Sequence, residues 1–198
     1  MNRLLLLSLC WLLPALAVAA PDPRRPNIVV ILADDLGYGD VGCYNPESKI
    51  PTPNLDRLAK AGARFTDAHS PSTVCTPSRY SLLTGRMSFR TGYRGGVFAG
   101  VGGPSLIEAD RLTLPGMLKK QGYATAAVGK WHLAPREETD LASSRKRWPL
   151  GRGFERYYGF MGAESNQYAP DLVSDNHFVE QPFAAEDGYH LTEDLAGR

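Results

Sequence analysis

This 198-residue sequence predicts an α/β fold with a mostly parallel central sheet flanked by helices. Three observations carry that reading. A continuous β-branched apolar run, "NIVVIL" (27–32), suits a strand buried on both faces. Thr-Pro pairs, which combine a helix cap with proline in the first turn, recur at 52–53 and 76–77. Strand-like and helix-like stretches alternate between them.

In chain order, "MNRLLLLSLCWLLPALAVA" (1–19) has a charged Arg3, an apolar Leu4–Leu13 and a small-x-small ending at Ala17-Val18-Ala19. It reads as a secretory signal peptide, too short and too early broken by Pro14 to be a membrane span. Residues 20–26 form a Pro/Arg-rich linker, and 27–198 are read as one catalytic-type domain. After the 27–32 strand, Thr52-Pro53 starts a helix carrying Leu55, Leu58 and Ala59 on one face and stopped by Gly62. "ARFTDA" (63–68) alternates like a strand, and Thr76-Pro77 caps the next helix, which Gly85 ends. Thr113 opens a third helix, with Lys119 and Lys120 in its last turn and Gly122 as its stop. "YATAAVG" (123–129) is the next strand, 134–150 a charged surface loop, "NHFVE" (176–180) a further strand, and "TEDLAGR" the start of a helix.

The charges balance, 22 Lys+Arg against 21 Asp+Glu, and loss of 1–19 removes only Arg3. No basic face is implied, which argues against nucleic acid or an anionic membrane as partner. Three cysteines, one of them in the leader, are too few for a disulfide-built fold. No Asn-x-Ser/Thr acceptor is present, so a periplasmic or secreted destination is favoured over a lysosomal one.

"GYGDVG" (37–42) matches a dinucleotide fingerprint, but the preceding Asp34 and Asp35 would repel a pyrophosphate. The proline-rich stretch that follows cannot open the required helix. The acidic pair itself ends the first strand, where α/β sheets gather ligands. Adjacent carboxylates there call for a cation, Ca²⁺ or Mg²⁺, or else form a solvated pair in a loop. Cys75 falls at a helix mouth, where an anion is favoured, with Arg79 four residues on. A thiolate nucleophile and a disulfide to Cys43 remain alternatives. Lys130 and His132, two apart on an extended chain, would point the same way, as a charge clamp and proton shuttle or as a solvated strand end and a loop residue.

"CTPSRYSLLTGR" (75–86) resembles the C-x-P-S-R…LTGR element of the type I sulfatases of the alkaline phosphatase superfamily. "RPNIVVILADDLGYGDVGCYN", "TPNLDRLAKAGARFTDAHS", "LPGMLKKQGYATAAVGKWHL" and "GRGFERYYGF" resemble arylsulfatase segments in the family's order. The resemblance implies an alkaline phosphatase/sulfatase-like fold and a sulfuric ester hydrolase acting on a sulfated small molecule or carbohydrate. It implies that a formylglycine-generating enzyme oxidises Cys75 to Cα-formylglycine, whose hydrate attacks sulfur with one hydroxyl and expels sulfate with the other. Asp34 and Asp35, with the Cys75-derived diol, would ligate Ca²⁺ rather than Mg²⁺. Arg79 would brace the diol, Lys130 would bind a sulfate oxygen, and His132 would position or deprotonate the diol. A second metal-binding Asp/Asn pair and a further His and Lys of the family lie beyond these segments. His177 and His190 do not sit in their surroundings. The chain is therefore expected to be the N-terminal part of a sulfatase, with "NIVVIL" and "ATAAVG" left with exposed apolar faces. The alternatives are a phosphate or phosphonate ester hydrolase of the superfamily and an inactive truncated chain.

Overall fold

A computed structural model describes residues 25–94, 96–98, 101–140 and 142–198. The expected signal peptide lies outside the described residues. The chain divides into two compact units, Met1–Pro51 and Thr52–Arg198.

In the first unit, the 27–32 run is not a strand. Its five large residues are exposed, Val29 at 81% and Ile31 at 80%. Propensity alone does not make a strand: the ladder needs a neighbour to accept and donate its hydrogen bonds, and no described strand pairs with this run. The glycine-rich stretch forms a short 3₁₀ turn, Tyr38–Asp40, rather than a strand-to-helix phosphate loop. Asn45 Nδ2 donates to the Gly39 carbonyl at 2.9 Å, and Ser48 Oγ to the Asp40 carbonyl at 2.8 Å. Tyr38 and Tyr44 stack at 4.4 Å.

The second unit begins with α1, Pro53–Ala61, between Thr52 and Gly62 as the sequence predicts. The 63–68 segment is irregular and exposed, not a strand. Helix α2, Cys75–Thr84, starts two residues earlier than its proline suggests. Val74 is the N-cap, and Thr76 lies inside the first turn, where its buried hydroxyl is used for tertiary contacts instead. Gly85 closes α2 in the left-handed region at φ 63°. Helix α3, Leu114–Lys120, is capped by Thr113, whose hydroxyl accepts from the Gly116 N–H at 3.2 Å.

The sheet has four strands in the order β1 (Ala126–Lys130), β2 (Arg156–Phe160), β3 (Leu172–Ser174), β4 (His177–Val179). The α/β class is as expected, but the sheet is mixed: β1 and β2 run parallel, and β2–β3 and β3–β4 run antiparallel. A two-residue turn at Asp175-Asn176, with Asp175 at φ 55°, closes the β3–β4 hairpin, and such a hairpin can only be antiparallel. Helix α4, Leu191–Ala196, completes the chain and is held by Asp194, which accepts from the Tyr158 hydroxyl at 2.6 Å.

Tyr80 of α2 shares one core with Trp131, Tyr157 of β2, Met161 and Val173 of β3. The stretch 134–150 joins that core at its ends through Ala134, Trp148 and Leu150, while Arg136, Glu137, Asp140 and Lys146 between them are exposed, as a surface loop would be. Trp148 is 1% exposed and donates from Nε1 to the Glu138 carbonyl at 2.8 Å. A tryptophan among charges is hidden from composition, yet its burial removes a large apolar surface from water. Among the described residues no helix is long and apolar enough to cross a membrane.

Candidate active site

The site is built where the first turn of α2 meets the end of β1. Cys75 is the first residue of α2, half-buried and a free thiol. Cys43 is likewise free. The N-cap Val74 makes no side-chain cap hydrogen bond, so the N–H groups of the first turn keep their positive end beside Cys75. Ser78 fastens the incoming loop, its Oγ lying 2.8 Å from the Val74 carbonyl and 3.0 Å from the Ser72 carbonyl.

Arg79 lies one turn beyond Cys75 on the same helix face. Its Nη1 donates to the Lys130 carbonyl at 2.5 Å. This bond carries Lys130, at the end of β1, to the mouth of α2.

Lys130 and His132 do not point the same way. His132 has φ +57°, which breaks the two-residue alternation of an extended chain. Its ring is 1% exposed, whereas Lys130 is half-buried. His132 Nε2 lies 2.9 Å from the Phe98 carbonyl, and Nδ1 lies 3.5 Å from Thr76 Oγ1. Thr76 Oγ1 in turn accepts from the Phe98 N–H at 3.1 Å. A carbonyl oxygen can only accept, so Nε2 carries a proton. The histidine lies between Phe98 and the residue after Cys75.

Two residues that the sequence reading passed over hold this corner. Tyr157 is 3% exposed, with its hydroxyl 2.8 Å from both the Gly129 and Phe160 carbonyls. Burial pushes its phenol well above the usual tyrosine range, against a smaller downward pull from Arg79. Gly159 stands opposite Gly129, and a Cβ there would come within 2.0 Å of the Gly129 oxygen. The glycine therefore sets how closely β2 approaches the residue before Lys130. The "YYGF" (157–160) and "VGK" (128–130) stretches were the available signals.

The sulfatase family model matches residues 26–197. The chain belongs to the sulfatase family. It is 47% identical over 150 residues to arylsulfatase A of Homo sapiens, covering 75% of this chain and 28% of that protein. It is 43% identical over 141 residues to steryl-sulfatase of Homo sapiens, covering 68% of this chain and 23% of that protein. The solved structure of Ps i-CgsB in complex with k-i-k-neocarrahexaose superposes with a TM-score of 0.71 at 29% identity, over 87% of this chain and 40% of that one. The sulfatase chain thus spans about a quarter of the length of the curated relatives it matches.

The sulfatase-like acidic pair, Asp34 and Asp35, lies in the first unit and is exposed, with Asp35 at φ 60°. Hard carboxylate oxygens suit Ca²⁺, but the ion takes about 6–8 oxygen ligands. Among the described residues no three His, Cys, Asp or Glu side chains gather to hold a metal. The pair fits one part of a calcium shell and does not complete it.

Proposed function

We propose that this sulfatase-family chain carries the N-terminal part of the centre of a sulfuric ester hydrolase, with Cys75 converted to Cα-formylglycine. The observation that carries the reading is the Arg79–Lys130 bond, which ties the Cys75-x-x-x-Arg79 turn to the Lys130 segment. Once formed, the hydrated aldehyde supplies one hydroxyl for attack on a sulfate ester and a second for release of sulfate.

The chain's own residues prepare that reaction by position and charge. The first turn of α2 offers N–H groups to an anion beside residue 75. Arg79 places a guanidinium on the same face, and its grip on the Lys130 carbonyl fixes where Lys130 leaves the sheet. His132 acts by positioning: its Nε2 donates to the Phe98 carbonyl, and its Nδ1 faces Thr76 beside residue 75. Asp34 and Asp35 would contribute two carboxylates to a Ca²⁺ site completed by ligands from other segments. The metal would supply Lewis-acid stabilisation of negative charge.

The relatives' printed names join sulfate to aryl and steryl groups. The shared chemistry is the sulfate ester, not one alcohol, so the substrate is assigned as a sulfated aryl, steryl or carbohydrate molecule. Leader-directed export to the periplasm or outside, and maturation by a formylglycine-generating enzyme, complete the reading.

The test is co-expression with a formylglycine-generating enzyme, followed by an aldehyde-reactive probe and peptide mapping. The peptide carrying Ser78 and Arg79 is expected to be labelled, and the Cys75→Ala chain is not. An unlabelled peptide, with a control sulfatase labelled in the same cells, overturns the proposal.

A further inference from the structure

A groove of about 520 Å³ lies beside β4, the outer strand of the sheet, and takes no part in the chemistry at Cys75. Its volume is within the ordinary range of a small-molecule site. Leu172 of β3, 1% exposed, lines its inner side. Phe178 of β4 and Phe183 also line it and are 45% and 49% exposed. Each ring is braced: Phe178 meets Trp148 edge to face at 5.7 Å, and Phe183 meets Tyr189 at 5.5 Å. Aromatic rings held in this way lose little freedom when a ligand lies against them.

The polar lining is Asp171, Glu180 and Gln181, and neither lysine nor arginine joins it. The Asp171 and Glu180 side chains make no hydrogen bond or ion pair among the described residues. Ionised carboxylates can only accept, so they suit hydroxyl donors, and they repel a sulfate. Exposed ring surface with hydroxyl acceptors fits a neutral sugar, which has apolar C–H faces and an O–H rim.

The sheet register relates this groove to the Cys75 mouth. Lys130 pairs with Phe160, and Leu172 pairs with Val179. The antiparallel pairing of Gly159 with Val173 sets Phe160 opposite Leu172 one step on. Lys130, Phe160, Leu172 and Val179 therefore form one row across the four strands, at the carboxyl ends of β1 and β2. Ligands of α/β sheets gather at that rim. Three strand spacings put Val179 about 14 Å from Lys130. A single sulfated ring is too short to bridge that gap, whereas an oligosaccharide is long enough.

We propose that the groove binds an uncharged ring of an oligosaccharide whose sulfate ester lies at the Cys75 mouth. The link to Cys75 rests on the proposed sulfatase reaction, and the groove's affinity for a neutral sugar does not.

The test titrates the unmodified 198-residue chain with maltotriose, β-1,4-galactotriose and N,N′,N″-triacetylchitotriose, followed by the ring ¹H shifts of Phe178 and Phe183. At least one trisaccharide is expected to shift both rings saturably. Glu180→Gln, a change at an exposed side chain, is expected to weaken that binding about tenfold. Chemical sulfation of the same trisaccharide is expected to abolish the shift. A nitroxide on Cys75, with Cys10→Ser and Cys43→Ser, is expected to broaden the signals of the bound sugar. No saturable shift with any trisaccharide, unchanged affinity in Glu180→Gln, or equal affinity for the sulfated form overturns the sugar site. Saturation by spermidine alone overturns it in favour of a cation. Unbroadened sugar signals overturn the link to Cys75. None of these readouts needs Cys75 converted, so the groove and the formylglycine reading fail separately.

Discussion

Replacing Thr76 by valine keeps the shape of a side chain that is fully buried and removes only its hydroxyl. That hydroxyl accepts from the Phe98 N–H at 3.1 Å and faces His132 Nδ1 at 3.5 Å. A buried polar group that loses its partner costs about 1–3 kcal/mol. The Phe98 bond has good geometry and counts in full, while the His132 contact is at the long limit and counts little. The expected loss is about 2–3 kcal/mol, a 30- to 150-fold fall in the ratio of folded to unfolded chain. In urea, with a slope of about 2 kcal/mol per molar, the midpoint should drop by about 1–1.5 M. Thr76→Ser keeps the hydroxyl and loses one methyl group, so it should cost only about 1 kcal/mol. Ring ¹⁵N shifts of His132 give a second readout: Nε2–H should dominate in the wild type and in Thr76→Ser, and its excess should shrink in Thr76→Val. A valine variant as stable as the serine variant, with an unchanged His132 tautomer, would refute the assignment of this hydroxyl as the link between the Cys75 turn and His132.

Gly159→Ala should destabilise the sheet by about 3 kcal/mol or more, because the added Cβ would meet the Gly129 backbone oxygen at 2.0 Å and a backbone atom cannot swing aside; denaturation with Gly96→Ala as a comparison, an exposed glycine whose added Cβ would meet nothing within 4 Å, measures it, and near-equal midpoints would contradict the close β1–β2 approach. The Asp194 carboxyl is held below the usual carboxylate range: burial pushes it up most strongly as a single influence, but hydrogen bonds from Tyr158, Arg198 and Tyr189 together outweigh it. A depressed folded value means the stabilisation is present above the unfolded carboxylate value of about 3.9 and is lost as pH falls through the folded value. Asp194→Asn should therefore be less stable at neutral pH and show a flatter fall in stability below about pH 4, read from denaturation midpoints across pH. Burial, and then the hydrogen bond to Asp194, raise Tyr189 to about 12, so its stabilising contribution should persist below about pH 10 and disappear as pH rises through 12, visible as a late phenolate phase in an alkaline ultraviolet titration.

Local chemistry made much of the helical structure legible. Proline in the first turn and glycine just past the last turn bound α1 between Thr52 and Gly62, and Gly85 ends α2. These signals act through φ restriction and missing N–H groups, which need no distant partner. The same proline logic misplaced the start of α2 by two residues, because Thr76 is drawn inward by Phe98 and His132, both far along the chain. The strands were less legible. Apolar character suggested one at 27–32 and alternation one at 63–68, yet neither pairs among the described residues.

The sequence by itself determined the α/β class, the helix limits set by proline and glycine, and the motif set that places the chain among the sulfatases. Tertiary structure alone decided the mixed direction of the sheet, the burial of Trp148 within a charged stretch, and the Arg79–Lys130 bond across 51 residues. It also turned His132 inward through a left-handed backbone angle that residue spacing does not encode. The division has one physical cause. Caps and turns are fixed by covalent geometry within a few residues, whereas a strand, a buried polar bond or a side chain's direction exists only when a remote segment supplies its partner.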